Sequence, residues 1–480
     1  MIAFHSIFIG GEWRTPSTSD RLEVRSPYDD ALAGSTPLAG EADIDAAVAA
    51  ARSALDRGEW ADRAPAGRVA VLRKFAELHA ARAEEFAQLV TAENGIPIWA
   101  TRAVQAYIVP QNQAYLAAAE EFGWETRGPA QFGSEGADTV WRREPVGVVA
   151  AIIPWNAPHQ SALTKLFPAL LAGCSVILKL APETALDGQL LGDIFTEAGL
   201  PTGVLSIIVA GREQSEYLVK HPGVDKIAFT GSTAAGRRIA SLAGERLKRF
   251  SLELGGKSAA VVLEDADIDA VIGNLKFASF FNNGQACVGL TRVVVPRGLQ
   301  ERLAEGLGAL AGGMTIGDPT LPETFIGPLV AERQRQRVDS YIQAGIDEGA
   351  RLVVGGTGRP DGIDFGAFVK PTVFADVDPK ARIAQEEIFG PVVSIIPYDS
   401  VDEAIRIAND SDYGLNGAVW AADRERGLEV ARRIKTGGVS VNGKGRDFSA
   451  PFGGYKQSGI GREYGSAGLN SYVELKAVML

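Results

Sequence analysis

The tightest constraint on the fold is an alternation of short apolar strands with helices in the first half of the chain. Apolar runs at 146–153, 175–178, 204–209, 226–229 and 250–254 read as strands, and helical stretches at about 158–171, 184–198, 214–219 and 233–243 fill the gaps. Strands joined through helices run parallel and are covered on both faces, so a doubly wound parallel sheet is expected. Ligands of such sheets bind where loops leave the carboxyl ends of the strands. The residues that could carry chemistry fall at those ends.

On the N-terminal side, a short strand segment precedes helices. Ile44, Ala47, Val48, Ala51 and Leu55 share one helix face; Val71, Leu72, Phe75, Leu78 and Phe86 share another, stopped by Asn94-Gly95 and Pro97. A third helix is expected over about 98–119 despite Pro110. These helices read as a packing layer. Residues 126–143 turn to Gly, polar residues and alternation, the pattern of a β arm that leaves the domain and returns.

Beyond Lys257 a second α/β unit begins. A strand at 258–263 leads to a helix capped by Asp267, with Ile268, Val271, Ile272, Leu275 and Phe281 on its apolar face. Asn282-Asn283-Gly284 breaks that helix and leaves Cys287 in a turn before a strand at 292–295. Strands at 351–354, 392–397 and 417–420 then alternate with helices near 331–348, 401–409 and 424–434, and 471–479 alternates like an edge strand. The expected division is a doubly wound α/β cofactor domain (1–122 and 146–254), a second α/β catalytic domain (255–470), and a small β oligomerisation arm with a terminal strand (123–145 and 471–480).

At 480 residues more than one core is expected. The net charge of -11 with no basic stripe argues against a nucleic-acid partner. Membranes are excluded too: the longest apolar run, about 146–155, falls far short of the ~20 residues that span a bilayer. The first residues lack the pattern of a signal peptide, and two cysteines, Cys174 and Cys287, make no disulfide framework. A cytoplasmic location is the expectation.

Cys287, in a Gly-flanked turn, is either an inert buried thiol or a nucleophile; Cys174, at a strand start, reads as core. Glu253 ends a strand just before Gly255-Gly256, so it is an exposed edge residue or a desolvated base able to activate water. Phe229-Thr230-Gly231-Ser232 enters a helix whose N-terminus suits a pyrophosphate, although Gly there also serves a tight turn. It has neither the Gly-x-Gly-x-x-Gly fingerprint nor a P-loop ending. Asn156 could donate to an oxyanion or cap the following helix. Lys179 could reach a ribose or phosphate, or be solvated. His159 opens a Cys–His hydrolase alternative. No metal cluster is suggested.

Pro154-Trp155-Asn156, Lys179, Phe229-Thr230-Gly231-Ser232, Glu253-Leu254-Gly255-Gly256-Lys257, Gly284-Gln285-Ala286-Cys287, Glu386-Glu387-Ile388-Phe389-Gly390-Pro391 and Pro451-Phe452-Gly453-Gly454 occur in the order seen in the aldehyde dehydrogenase superfamily. The resemblance covers almost the whole chain. It implies oxidation of a small-molecule aldehyde to the acid with NAD, NADP being possible. Cys287 resembles the nucleophile that forms a thiohemiacetal, Asn156 an oxyanion donor, and Glu253 the base that activates water against the thioester. Lys165 and Glu463 match positions that assist proton transfer in some members. Trp155, Lys179, Gly231, Ser232, Glu387 and Phe389 match cofactor-binding positions. A homodimer or homotetramer is implied.

Two departures stand out. The lysine motif commonly carries an acidic residue three places after the Lys; here Pro182 stands there and Glu183 falls one later, which leaves discrimination against NADP open. Ala157 is small where several relatives are aromatic, and Phe281 precedes Cys287, a mouth that favours medium or aromatic aldehydes. A CoA-acylating dehydrogenase is the rival on this fold, and such relatives often lack a carboxylate at the position of Glu253. A non-catalytic structural protein would need none of Cys287, Glu253 and Asn156. Nicotinamide between Glu253 and Cys287 requires a Glu253 side chain that moves.

Overall fold

Five parallel strands lie where the alternation places them: Val148–Ile152, Ser175–Leu180, Leu205–Val209, Lys226–Thr230 and Arg249–Glu253. The structure is a computed structural model that describes residues 2–129, 132 and 137–480. Across the sheet the order runs Arg249–Glu253, Lys226–Thr230, Val148–Ile152, Ser175–Leu180, Leu205–Val209. The chain therefore reverses its direction of travel between Val148–Ile152 and Lys226–Thr230, and a crevice opens above that switch point.

Helices cover both faces. On one side Pro65–Ala81, Ile98–Glu120, Pro158–Ala172 and Leu190–Ala198 enclose a core that includes Leu72, Phe75, Leu163, Leu166, Phe167 and Phe195. On the other, Glu41–Arg57, Arg212–Lys220 and Thr233–Gly244 pack Ile44, Val48, Leu218 and Leu242 onto Val148, Ile177 and Ile227. Leu163, Leu166 and Phe167 are wholly buried. Each contributes roughly 1.5–3 kcal/mol relative to an exposed side chain.

Two antiparallel additions break the expected all-parallel pattern. Gly459–Ile460 pairs with Arg249–Glu253 at one edge, and Ile7–Ile9 pairs with Leu205–Val209 at the other, followed by Glu12–Arg14. In place of one N-terminal strand segment there are five strands, three of which (Ile2–Ala3, Arg21–Arg25, Leu32–Pro37) form a separate small sheet. They are two to six residues long, and Arg21–Arg25 is charged at alternate positions, so little apolar signal marks them. The helix expected to run into Asn94 is two helices, Pro65–Ala81 and Ala83–Asn94, because Arg82 leaves helical geometry at φ -106, ψ 13. The helix expected from 184 begins at Leu190; Pro182–Thr184 and Asp187–Gln189 are tight single turns.

The second unit is a seven-stranded sheet, ordered Arg351–Val354, Thr372–Ala375, Val392–Tyr398, Leu290–Pro296, Ser258–Val262, Gly417–Trp420, Ser440–Val441, parallel except for the first. Thr372–Ala375 and the helix Gln300–Gly312 are additions to the elements expected from sequence. Asp267 caps Ile268–Phe280 as expected, its Oδ1 accepting from the N–H groups of Asp269 and Ala270.

The expected arm is a pair of strands, Glu125–Pro129 and Asp138–Pro145, and Val473–Met479 adds to it in antiparallel register. Residues 130, 131 and 133–136 of that arm lie outside the described residues. Among the described residues no helix is long and apolar enough to cross a membrane.

Candidate active site

Parallel register sets the first half of the site. Thr230 pairs with Glu253 at the carboxyl ends of adjacent strands, and Trp155 and Asn156 leave the neighbouring strand Val148–Ile152. From the helix behind, the buried Lys165 donates to Thr230 Oγ1 (2.6 Å) and Glu463 Oε1 (2.7 Å).

The second half is the turn that carries Cys287. Asn282, Asn283 and Gly284 all have positive φ (51°, 57° and 75°), a conformation that Asn and Gly tolerate best. A Cβ on Gly284 would sit 2.2 Å from the Gly390 carbonyl, so no side chain fits there. Asn283 holds the turn: its Oδ1 accepts from Gly327 N–H (2.7 Å) and its Nδ2 donates to Pro328 O (2.8 Å). Two further bonds join the halves. Asn156 Nδ2 donates to Gln285 O (2.9 Å), and Asn282 Nδ2 donates to Asn156 O (2.7 Å). Asn156 does not cap the helix Pro158–Ala172, whose N-cap is Ala157, and its second amide hydrogen is left for the cavity.

Asn156, Thr230, Glu253, Cys287, Arg446 and Glu463 line one cavity of about 150 Å³. Both carboxyl oxygens of the buried Glu253 lack a hydrogen-bond partner. Burial, then the charge of Glu463, raises its pKa well above the ordinary carboxylate value, against the pull of Lys165, Arg462 and Arg446. Glu253 Oε1 rests on Gly453, where a Cβ would approach to 2.7 Å. Cys287 is half-buried, and burial followed by the charge of Glu387 pushes its thiol up to about 12. The thiol is therefore neutral near pH 7, and the carboxyl is biased toward its protonated form. Cys174 is buried beneath the sheet, as its sequence context implies.

A second cavity, about 430 Å³, opens beside Lys179 and Ser232 and is also lined by Phe229, Arg212 and Arg238. Ser232 caps the helix Thr233–Gly244, its Oγ accepting from Ala235 N–H. Burial lowers Lys179 to about 8, opposed by Glu183. Glu183 itself is ion-paired with Arg333. At Gly231 a Cβ would lie 2.4 Å from the Phe229 ring. Between the cavities, Glu387 Oε1 accepts from Gly256 N–H (2.9 Å) and its carboxylate lies against Gly255. Phe389 has φ +65°, uncommon for an aromatic residue, and meets the Trp155 ring edge-on at 5.4 Å.

The expected chemical residues Cys287, Glu253, Asn156 and Glu463 thus share one cavity, with Lys165 behind it. The remaining six divide. Lys179 and Ser232 line the second cavity, Gly231 leads into it, Glu387 stands against Gly255-Gly256, and Trp155 and Phe389 meet each other. His159 does not support a Cys–His pair. Its ring is buried, with Nδ1 on Asp187 Oδ2 (3.1 Å) and Nε2 on His79 Nε2, so neither nitrogen is free for the Cys287 proton. Thr230, inside the motif Phe229-Thr230-Gly231-Ser232, is a partner of Lys165 that no local pattern marks, because the two meet only in the fold. Arg446 carried no signal, since a loop arginine is ordinarily solvated.

The model of the aldehyde dehydrogenase family matches residues 13–478. Geranial dehydrogenase of Castellaniella defragrans is 46% identical over 475 residues, covering 99% of this chain and 98% of its own. The crystal structure of a Mycobacterium tuberculosis aldehyde dehydrogenase complexed with NAD+ superimposes with a TM-score of 0.95 at 45% identity, covering 100% of this chain and 98% of that one. An NAD+ complex of an aldehyde dehydrogenase from Bacillus cereus gives 0.95 at 39% identity, with 99% and 96% covered. With a family match over nearly the whole length and relatives this similar from end to end, the chain belongs to the aldehyde dehydrogenase family.

Proposed function

We propose that the chain oxidises an aldehyde to the carboxylic acid with NAD+, using Cys287 as nucleophile and Glu253 as the base of hydrolysis. The observation that carries this reading is Glu253: a buried carboxyl with no protein partner, in the same cavity as a thiol and an amide donor. A structural role would leave such a group unexplained, because an unpartnered buried polar group destabilises the fold.

The dinucleotide fits the second cavity. Ser232 begins a twelve-residue helix whose free N–H groups and dipole favour a pyrophosphate, and Lys179 adds a cation. Glu387 and Phe389 would take the nicotinamide ribose and ring. Bound there, NAD+ supplies the hydride acceptor. Cys287 Sγ attacks the carbonyl carbon, and the free amide hydrogen of Asn156 with the Cys287 N–H holds the oxyanion. After oxidation the acyl group is a thioester on Cys287. Glu253, once ionised, takes a proton from water, which attacks that thioester. Lys165 and Glu463 form a polar path at the same wall through which a proton can leave.

We divide the chain as the sequence implies, with cofactor and catalytic units meeting at Gly255 and an arm that joins copies into a dimer or tetramer. Two free cysteines suit a reducing cytoplasm. The test is Glu253→Gln, assayed by NADH formation against a panel of aliphatic, aromatic and amino aldehydes. The expected result is about one NADH per subunit in a rapid phase, then turnover slowed by ~10²–10⁴, the usual worth of a general base. CoA-dependent turnover that survives this change overturns the hydrolytic reading.

A further inference from the structure

Arg446 lines the cavity of Cys287 and Glu253, yet the established reaction gives it no task. Its guanidinium lies over the Phe452 ring at 4.3 Å and within 5.8 Å of Tyr464. The nearby carboxylates are committed elsewhere. Asp447 accepts from the Ser449 N–H (2.8 Å) and hydroxyl (2.7 Å), and Glu463 accepts from Lys165. Among the described residues, Arg446 has no ion-pair partner within 4 Å.

Arg446 is solvent-exposed at the rim of the cavity, and a guanidinium over an aromatic face presents a fork of N–H donors that matches a carboxylate. We propose that Arg446 determines specificity, and that the cavity takes aldehydes bearing a carboxylate at the end remote from the carbonyl. This rests on the aldehyde-oxidising reading of Cys287. The remote carboxylate would sit on the guanidinium and leave the aldehyde carbon toward the thiol.

The test compares kcat/KM for 4-carboxybenzaldehyde and benzaldehyde, followed by NADH, in the wild type, Arg446→Met and Arg446→Lys. Each ratio is taken within one protein, so any effect of Arg446 on the Cys287 chemistry cancels. The wild type is expected to favour the carboxylated aldehyde, and Arg446→Met to lower that ratio by ~10-fold or more, chiefly through KM. Arg446→Lys keeps the charge but loses the fork, and is expected to fall between them. In the wild type alone, raising the ionic strength from ~0.02 to ~0.5 M is expected to lower the ratio as well, which needs no variant to fold. A ratio that Arg446→Met leaves within threefold, or a wild type that favours benzaldehyde, overturns the proposal. NADH from neither aldehyde, nor from any of the aliphatic, aromatic and amino aldehydes above, in folded wild-type protein overturns the dehydrogenase reading with it.

Discussion

Without cofactor, Cys287 is expected to be a slow nucleophile, and the size of the effect follows from its surroundings. Burial first, then the negative charge of Glu387, moves the thiol from an ordinary 9.0 to about 12, with Arg446 opposing. At pH 8 the thiolate fraction falls from roughly one in ten to roughly one in 10⁴, a loss of about a thousandfold. Each remaining thiolate is more nucleophilic. With a Brønsted slope of ~0.4–0.5 across three units, it gains roughly 15–30-fold. The net expectation is alkylation about 30–60-fold slower than that of an unperturbed accessible thiol.

Iodoacetamide labelling of the cofactor-free enzyme, followed on the Cys287 peptide by mass spectrometry, reads this directly. Cys174 is the internal blank, being fully buried and likewise pushed up to about 12. From pH 7 to 10.5 the logarithm of the rate is expected to climb with unit slope and no plateau. Glu387→Gln is expected to raise the rate, since it removes the largest charge acting against the thiolate. A plateau at or below pH 8.5, or a pH 8 rate equal to that of a small thiol, refutes the argument and would mean that Cys287 is activated before any ligand arrives.

Three further outcomes are expected. Burial, then the neighbouring His159, lowers His79 to about 2, so its ring is neutral in the fold but takes a proton near 6.5 when unfolded. Its contribution is therefore intact above pH 6.5 and is lost below it at ~1.4 kcal/mol per unit, about 2 kcal/mol by pH 5. Denaturant midpoints of the wild type and His79→Leu should converge by that amount between pH 7 and 5; a pH-independent gap refutes it. Glu183, held by Arg333, is expected to exclude NADP only weakly, and an NADP kcat/KM thousands of times below that with NAD+ would contradict this. Finally, Val473–Met479 leaves an open strand edge with Leu475 70% and Met479 72% exposed, so a second copy is expected to cover it. A monomer by sedimentation at micromolar concentration counts against that assignment.

What the sequence made legible depended on the range of the interaction. The five parallel strands and the helix break at Asn282-Asn283-Gly284 could be read because apolar period and turn chemistry are local. The strand Ile7–Ile9 could not, because its place is set by pairing with Leu205–Val209, nearly two hundred residues on. The same rule divides the site. Cys287 and Glu253 were visible beside their glycines, whereas the bond from Asn156 to Gln285, the pairing of His79 with His159 and the approach of Arg446 arise only when distant segments meet.

Glu253 joins both levels. The sequence places it at a strand end before two glycines, and a cleft shared with nicotinamide requires it to move. The fold supplies the means: neither carboxyl oxygen is held by a protein hydrogen bond, and one rests only on Gly453. A side chain so placed has no bond to break when it turns toward Cys287. Burial and Glu463 favour its protonated form, so ionisation has to accompany that turn. Structures with and without cofactor are therefore expected to differ in the Glu253 rotamer, and one unchanged rotamer in contact with Cys287 in both would show that burial alone fixes it.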